Sequence, residues 1–175
     1  MTQAYVVMGV SGCGKTTIGQ LLAQRLGCPF YDGDDFHPPQ NVAKMANGVP
    51  LNDDDRQPWL ARLHDLLVAH VQRGETAVLA CSALKKSYRD QLRADNTVQF
   101  IHLQGDFDLI WQRMQLRQNH YMKAEMLQSQ FDTLQSPTPD EALIINIGQP
   151  VDTMLTTIMQ EMARFKKPMS LLDTL

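Results

Sequence analysis

Residues 4–27 pass through three local patterns in a row, and together they leave little choice of architecture. AYVVM (4–8) is an apolar run too short for a helix and suited to a strand covered on both faces. GVSGCGKT (9–16) follows directly. Then comes TTIGQLLAQRLG, in which Ile18, Leu21, Leu22 and Leu26 fall at helical spacing before Gly27 stops the run. A buried strand that turns through glycines into an amphipathic helix is the first half of a strand–helix–strand unit. Strands should therefore run parallel, with right-handed helical crossovers between them.

The same alternation continues to residue 147. PFYD (29–32), TAVLAC (76–81), VQFIHL (98–103) and ALIINI (142–147) supply four more short apolar runs. PWLARLHDLLVAHVQRG (58–74), KKSYRDQLRAD, DFDLIWQRMQLRQ and KAEMLQSQFDTL are the helical stretches between them. The pattern predicts a doubly wound α/β fold with a five-stranded parallel sheet, in one domain spanning 1–175. With 43% hydrophobic and 20% charged residues the chain can bury a core, which excludes disorder as its general state. A formal charge of −3 gives no bulk attraction to nucleic acid or to an anionic membrane. Three cysteines at no pairing or metal-binding spacing read as reduced thiols. No apolar run approaches the roughly 20 residues that cross a bilayer. A cytoplasmic protein with no membrane or nucleic-acid partner is expected.

In such a sheet ligands sit at the carboxyl ends of the strands, and there GVSGCGKT matches G-x-x-x-x-G-K-S/T with the right elements on either side. Glycines let successive N–H groups turn inward on phosphate oxygens, and the following helix adds its positive end. Gly9, Val10, Ser11, Gly12, Cys13, Gly14, Lys15, Thr16 and Thr17 are thus expected to hold ATP. Lys15 would bridge the β- and γ-phosphates, and the Thr16 hydroxyl would ligate Mg2+. Cys13 reads as a small residue filling a loop position. Neither D-x-x-G nor N-K-x-D occurs, which removes a guanine-nucleotide switch, and TAVLAC runs into SALKK without the carboxylate of a mechanical ATPase. A small-molecule kinase remains.

A kinase must exclude water, and the expected lid (about 117–124) follows WQRMQLRQNHYM. Arg113 and Arg117 are four apart on one helix face, placed to stack on adenine and neutralise phosphate charge, with Arg117 catalytic. IGQPVD (147–152) is a weaker candidate for holding adenine through its backbone. The second strand would deliver YDGDD beside the phosphate loop. If that strand continues, Asp32 and Asp34 share a face toward metal and acceptor, and Asp35 points away to cap the next helix. Asp34 is the expected base and, with Thr16, a metal ligand; Asp32 is second in line as base.

Four blocks, MGVSGCGKTTIG, YDGDDFHPPQNVAKMANGVPLNDDDRQPWL, CSALKKSYRDQLR and HYMKAEMLQSQFDTLQ, lie in order from residue 8 to about 135 and resemble the gluconate kinases of the thermoresistant gluconokinase type. The resemblance implies a P-loop kinase fold similar to shikimate and adenylate kinases. It also implies transfer of the ATP γ-phosphate to the 6-hydroxyl of D-gluconate with Mg2+, and a homodimer. It puts substrate binding in a helical region of about 35–72, with His37, Lys44, Arg56, Lys85 and Arg89 beside Asp34 as contacts for the carboxylate and hydroxyls. Arg56 is the expected carboxylate clamp. Adenylate kinases carry an acid after the third strand where this chain has Cys81-Ser82, so the metal would rest on Thr16, Asp34 and waters. Two rivals stay open: a kinase of another hydroxy acid such as shikimate, and a non-catalytic ATP sensor.

Overall fold

The computed structural model describes residues 3–93, 97–116 and 124–166, with side chains through Arg164 in the last helix. Five parallel strands form one sheet in the order β2-β3-β1-β4-β5: β1 (Ala4–Met8), β2 (Phe30–Asp32), β3 (Ala77–Ala80), β4 (Val98–Gln104) and β5 (Ala142–Asn146). β1 lies at the centre and pairs with β3 (Val6↔Leu79) and with β4 (Val7↔Ile101). All five residues of β1 are buried, as its unbroken apolar run requires.

Helix α1 (Lys15–Leu26) crosses from β1 to β2, burying Ile18, Leu22 and Ala23 in the core on one side of the sheet. On the other side α3 (Asp53–Gln72) lays down Trp59, Leu60, Leu63 and Leu67. Each fully covered leucine there contributes about 1.5–3 kcal/mol through the water it leaves. α3 begins five residues before Pro58, where the spacing placed its start. The Asn52 side chain accepts from the Asp55 N–H while Asp55 accepts from the Asn52 N–H, and this capping box anchors the helix despite the proline inside it. Arg56 is thereby carried on a helix rather than a loop.

Between β2 and α3 lie a short 3-10 turn (Gly33–Phe36) and α2 (Pro39–Ala46). α4 (Lys86–Leu92), α5 (Phe107–Gln115) and α6 (Ala124–Thr133) complete the crossovers. α7 (Val151–Lys166) closes the chain on the α1 side of the sheet through Met154, Leu155, Ile158 and Met162. That last helix was not anticipated, although its apolar spacing was there to read. Among the described residues no helix is long and apolar enough to cross a membrane. Arg117 and residues 117–123 of the expected lid lie outside the described residues.

Candidate active site

The carboxyl ends of β1, β2 and β3 meet at one edge, and the loop 9–14 rises there between β1 and α1. Gly14 is the N-cap of α1 in the left-handed conformation (φ 101°), and no side chain caps it. The first N–H groups of α1 also have no acceptor within the helix. The free donors of the first turn of α1 and its positive end are therefore available to a phosphate, while the Gly9, Ser11 and Cys13 N–H groups donate to the Ser82 carbonyl, Gln130 Oε1 and the Val10 carbonyl. Lys15 Nζ lies across the loop, donating to the Val10 carbonyl at 3.0 Å. Cys13 is buried and packs in the core, in keeping with a loop-filling role.

β2 ends at Asp32, and this changes the geometry of the three carboxylates. The chain leaves the strand at Gly33, which lies so close to β3 that a Cβ would meet the Ala80 carbonyl at 2.8 Å. The strand geometry that would align Asp32 with Asp34 is lost there. Asp32, not Asp35, caps the turn, accepting from the Asp34 N–H at 3.1 Å. Its second oxygen accepts from the Thr16 hydroxyl at 3.1 Å. Thr16 and Asp32 thus form the hard-oxygen pair at the foot of the loop, the donor type that Mg2+ takes alongside phosphate oxygens and water. Among the described residues no cluster of three His, Cys, Asp or Glu side chains could hold a metal by itself. Cys81, at the end of β3, is no ligand candidate, since burial pushes its thiol up to about 12.

Asp34 stands clear of that pair. Its side chain is 89% exposed, with partial desolvation by the protein atoms around it. That desolvation first, and the Asp32 carboxylate second, raise its pKa above the ordinary range, against the pull of Lys15 and His37. His37 stacks on Trp59 with ring centroids 4.3 Å apart, and Trp59 donates its indole N–H to the Gly33 carbonyl at 2.7 Å. The Asn41 amide donates to the Asp55 carbonyl at 2.7 Å and faces His37 Nδ1 at 3.3 Å. This network assigns Nδ1 as acceptor and puts the proton on Nε2, 4.0 Å from Asp34 Oδ1. Burial lowers the His37 pKa, with Arg56 adding to it against Asp34, which favours the neutral ring that this arrangement needs.

The chain matches the shikimate kinase family over residues 11–162. It is 45% identical to the thermoresistant gluconokinase of Escherichia coli (strain K12), over 93% of this chain and 94% of that one. It is 52% identical to the gluconokinase of Gluconobacter oxydans (strain 621H), over 82% of each. The crystal structure of a gluconokinase from Sinorhizobium meliloti 1021 superposes with a TM-score of 0.86 at 40% identity, covering 93% of both chains. This chain belongs to the gluconokinase family. The doubly wound P-loop kinase fold and its five parallel strands, expected from the alternation of elements, are accordingly confirmed.

Within this gluconokinase fold the basic residues divide into groups. Lys44 donates to both Asp55 oxygens at 2.6 and 2.8 Å, and Lys85 to both Asp53 oxygens at 2.8 Å. These bonds are the first cause of the lowered pKa values of both acids. Tyr88 also donates its hydroxyl to Asp53, and its ring lies under both Lys85 (5.4 Å) and Arg56 (5.8 Å). Arg56 donates to the Leu51 and Asn52 carbonyls. Lys44 is thus linked to Asp34 through Asp55, Asn41 and His37, while Lys85 and Arg56 share the Tyr88 ring beside Asp53. Arg89 does not join them. It is 1% exposed and donates to the Ala83 and Leu84 carbonyls at 3.2 and 3.3 Å. Buried there, it braces a loop that contains Ala83 at φ 44° and does not open on the cleft. Arg113 donates to the Ile147 carbonyl at 2.7 Å, tying α5 to the 147–152 segment considered for adenine.

Asn41, Asp53, Trp59 and Tyr88 were not singled out as site residues. Their positions lie inside the diagnostic blocks, but none carries chemistry on its own. Each matters through the charged or ring partner that folding brings to it.

Proposed function

We propose that this chain transfers the γ-phosphate of ATP to the 6-hydroxyl of D-gluconate, giving 6-phospho-D-gluconate and ADP. The observation that supports it most is the position of Asp34. It lies near enough to Lys15 for that charge to act on it, and it is linked through His37, Asn41 and Asp55 to Lys44, with Lys85 and Arg56 on Tyr88 completing a wall of cations. A polyhydroxy carboxylate needs such a wall for its carboxylate and a base at its far hydroxyl.

The loop N–H groups and Lys15 hold the β- and γ-phosphates. Mg2+, held at Thr16 and Asp32 together with phosphate oxygens, would neutralise charge on the transferred group. This places the metal beside Asp32 and leaves Asp34 to the proton. Asp34 takes the proton of the 6-hydroxyl as the oxygen–phosphorus bond forms and the bond to the ADP oxygen breaks. His37 Nε2–H faces the Asp34 carboxylate and orients it. Lys44, Arg56 and Lys85 bind the acceptor, with Lys85 and Arg56 on Tyr88 nearest to a carboxylate clamp. Arg113 and Arg117 serve the nucleotide, and the 117–124 segment is the lid.

The same reading has the enzyme act in the cytoplasm as a homodimer, and the absence of any disulfide among its three cysteines fits a reducing compartment. The deciding experiment is an ADP-release assay with ATP and Mg2+, offering D-gluconate, shikimate or no acceptor. Turnover with D-gluconate alone is expected. Turnover with shikimate instead would discard the acceptor wall as read, and nucleotide binding without any turnover would leave a sensor.

A further inference from the structure

One side chain of α6 grips the phosphate loop by two bonds. The Ser11 N–H donates to Gln130 Oε1 at 2.6 Å, and Gln130 Nε2 donates to Ser11 Oγ at 3.0 Å, across 119 positions of sequence. The N–H and the hydroxyl of a single loop residue are therefore held by one carboxamide.

The Ser11 N–H and the Val10 carbonyl belong to the same peptide group, which is planar and trans, so the two point in opposite directions. On the far side of that plane the Val10 oxygen accepts from Lys15 Nζ at 3.0 Å. The same oxygen also accepts from the Cys13 N–H at 3.4 Å, so this turn bond and whatever fixes the Ser11 N–H together set the direction of the carbonyl that meets Lys15. Gly12, next along, has a positive φ of 81° and offers no side chain to restrain the loop.

α6 does not depend on this contact for its place. Leu127 is fully buried, and Phe131 packs against Phe107 at 5.8 Å. Just past the helix the Gln135 N–H donates to the Leu84 carbonyl at 2.9 Å, while its side chain accepts from the Lys86 N–H at 2.7 Å. The carboxamide is thus presented from a rigid support.

We propose that Gln130 is a positioning residue for phosphoryl transfer: it sets the tilt of the Val10–Ser11 peptide and, through it, the place of Lys15 at the phosphates. The proposal rests on the ATP-dependent transfer proposed above and adds to it a residue that touches neither substrate.

The test uses Gln130→Met, which keeps length and packing but removes both bonds, and Gln130→Glu, which keeps an acceptor for the Ser11 N–H. With two hydrogen bonds lost, kcat for gluconate phosphorylation should fall about 5- to 30-fold in Gln130→Met, while the KM for gluconate stays within about twofold. Gln130→Glu should regain most of kcat and raise the KM for ATP, since its charge faces the phosphates. Amide hydrogen exchange of the loop peptide should be about tenfold faster in Gln130→Met, with the melting temperature lowered by only a few degrees. If kcat stays within twofold of the parent while the parent phosphorylates gluconate, the inference fails and the functional reading stands. If the parent does not phosphorylate gluconate, that reading fails, and exchange in the loop decides the inference: faster exchange supports it and unchanged protection overturns it.

Discussion

The nucleotide side and the acceptor side of the cleft are built by opposite means. On the nucleotide side the chemistry is carried by backbone: a glycine-shaped loop, the uncapped end of α1, and a lysine and threonine at its first two positions. Those groups lie within eight consecutive residues, and a buried strand and an amphipathic helix hold them. On the acceptor side the chemistry is carried by side chains from the 3-10 turn, α2, α3 and α4. Lys44 and Lys85 there already have carboxylate partners of their own, Asp55 and Asp53. Backbone donors are fixed by local conformation, so a short motif can specify them. Paired side chains are fixed by where elements pack, so no short motif can.

The sharpest way to separate the two sides is Asp34→Ala. Removal of a general base should lower kcat by about 10²–10⁴-fold. Because the loop and Lys15 are untouched, the affinity for ATP should stay near the parent value in a titration with a fluorescent nucleotide. A matching loss of ATP binding would show that Asp34 belongs to the nucleotide side.

Lys85→Met addresses the acceptor wall. Loss of a charge-assisted bond should raise the KM for gluconate about 10- to 100-fold. The KM for ATP should hardly move in the same steady-state series. Equal rises in both would make the Lys85–Asp53 pair a structural brace. Gly14→Ala is the converse change. An alanine held at φ 101° is strained by about 1–3 kcal/mol, so the KM for ATP should rise about tenfold with the gluconate KM unchanged.

The smallest effect concerns pH. A carboxyl must be ionised to accept a proton, so activity is present above the Asp34 pKa and lost as pH falls through it. Since desolvation and Asp32 raise that pKa, the acid limb of kcat/KM should lie above the ordinary aspartate value of about 3.9. Asp32→Asn removes the neighbouring charge and should shift the limb to lower pH. A limb that does not move would mean that Asp32 leaves the base untouched.

The residues themselves show how far sequence could reach. The apolar run 4–8, the loop 9–16 and the helical spacing of Ile18 and Leu22 are local signals, and each was realised where it was read. α3 was legible in its leucines but not in its start, because the Asn52–Asp55 capping box outweighed the proline signal. Asp34 was legible as one of three acids. Its separation from the Thr16–Asp32 pair was not, since it follows from the strand ending where Gly33 approaches Ala80. Arg89 shows the reverse: a cation in a diagnostic block that folding buries against the Ala83 and Leu84 carbonyls, which its sequence position alone does not reveal.

By itself, then, the sequence determined the parallel α/β order and the place of the glycine loop between β1 and α1. Strand, helix and glycine turn are set by neighbours within a few positions, so their signals survive in one dimension. The tertiary structure alone decided that Thr16 meets Asp32, that His37 is turned toward Asp34 through Asn41, and that Gln130 grips Ser11. Hydrogen bonds and ion pairs act over only a few ångströms, and residues 14 to 119 positions apart come that close only when helices pack on a sheet.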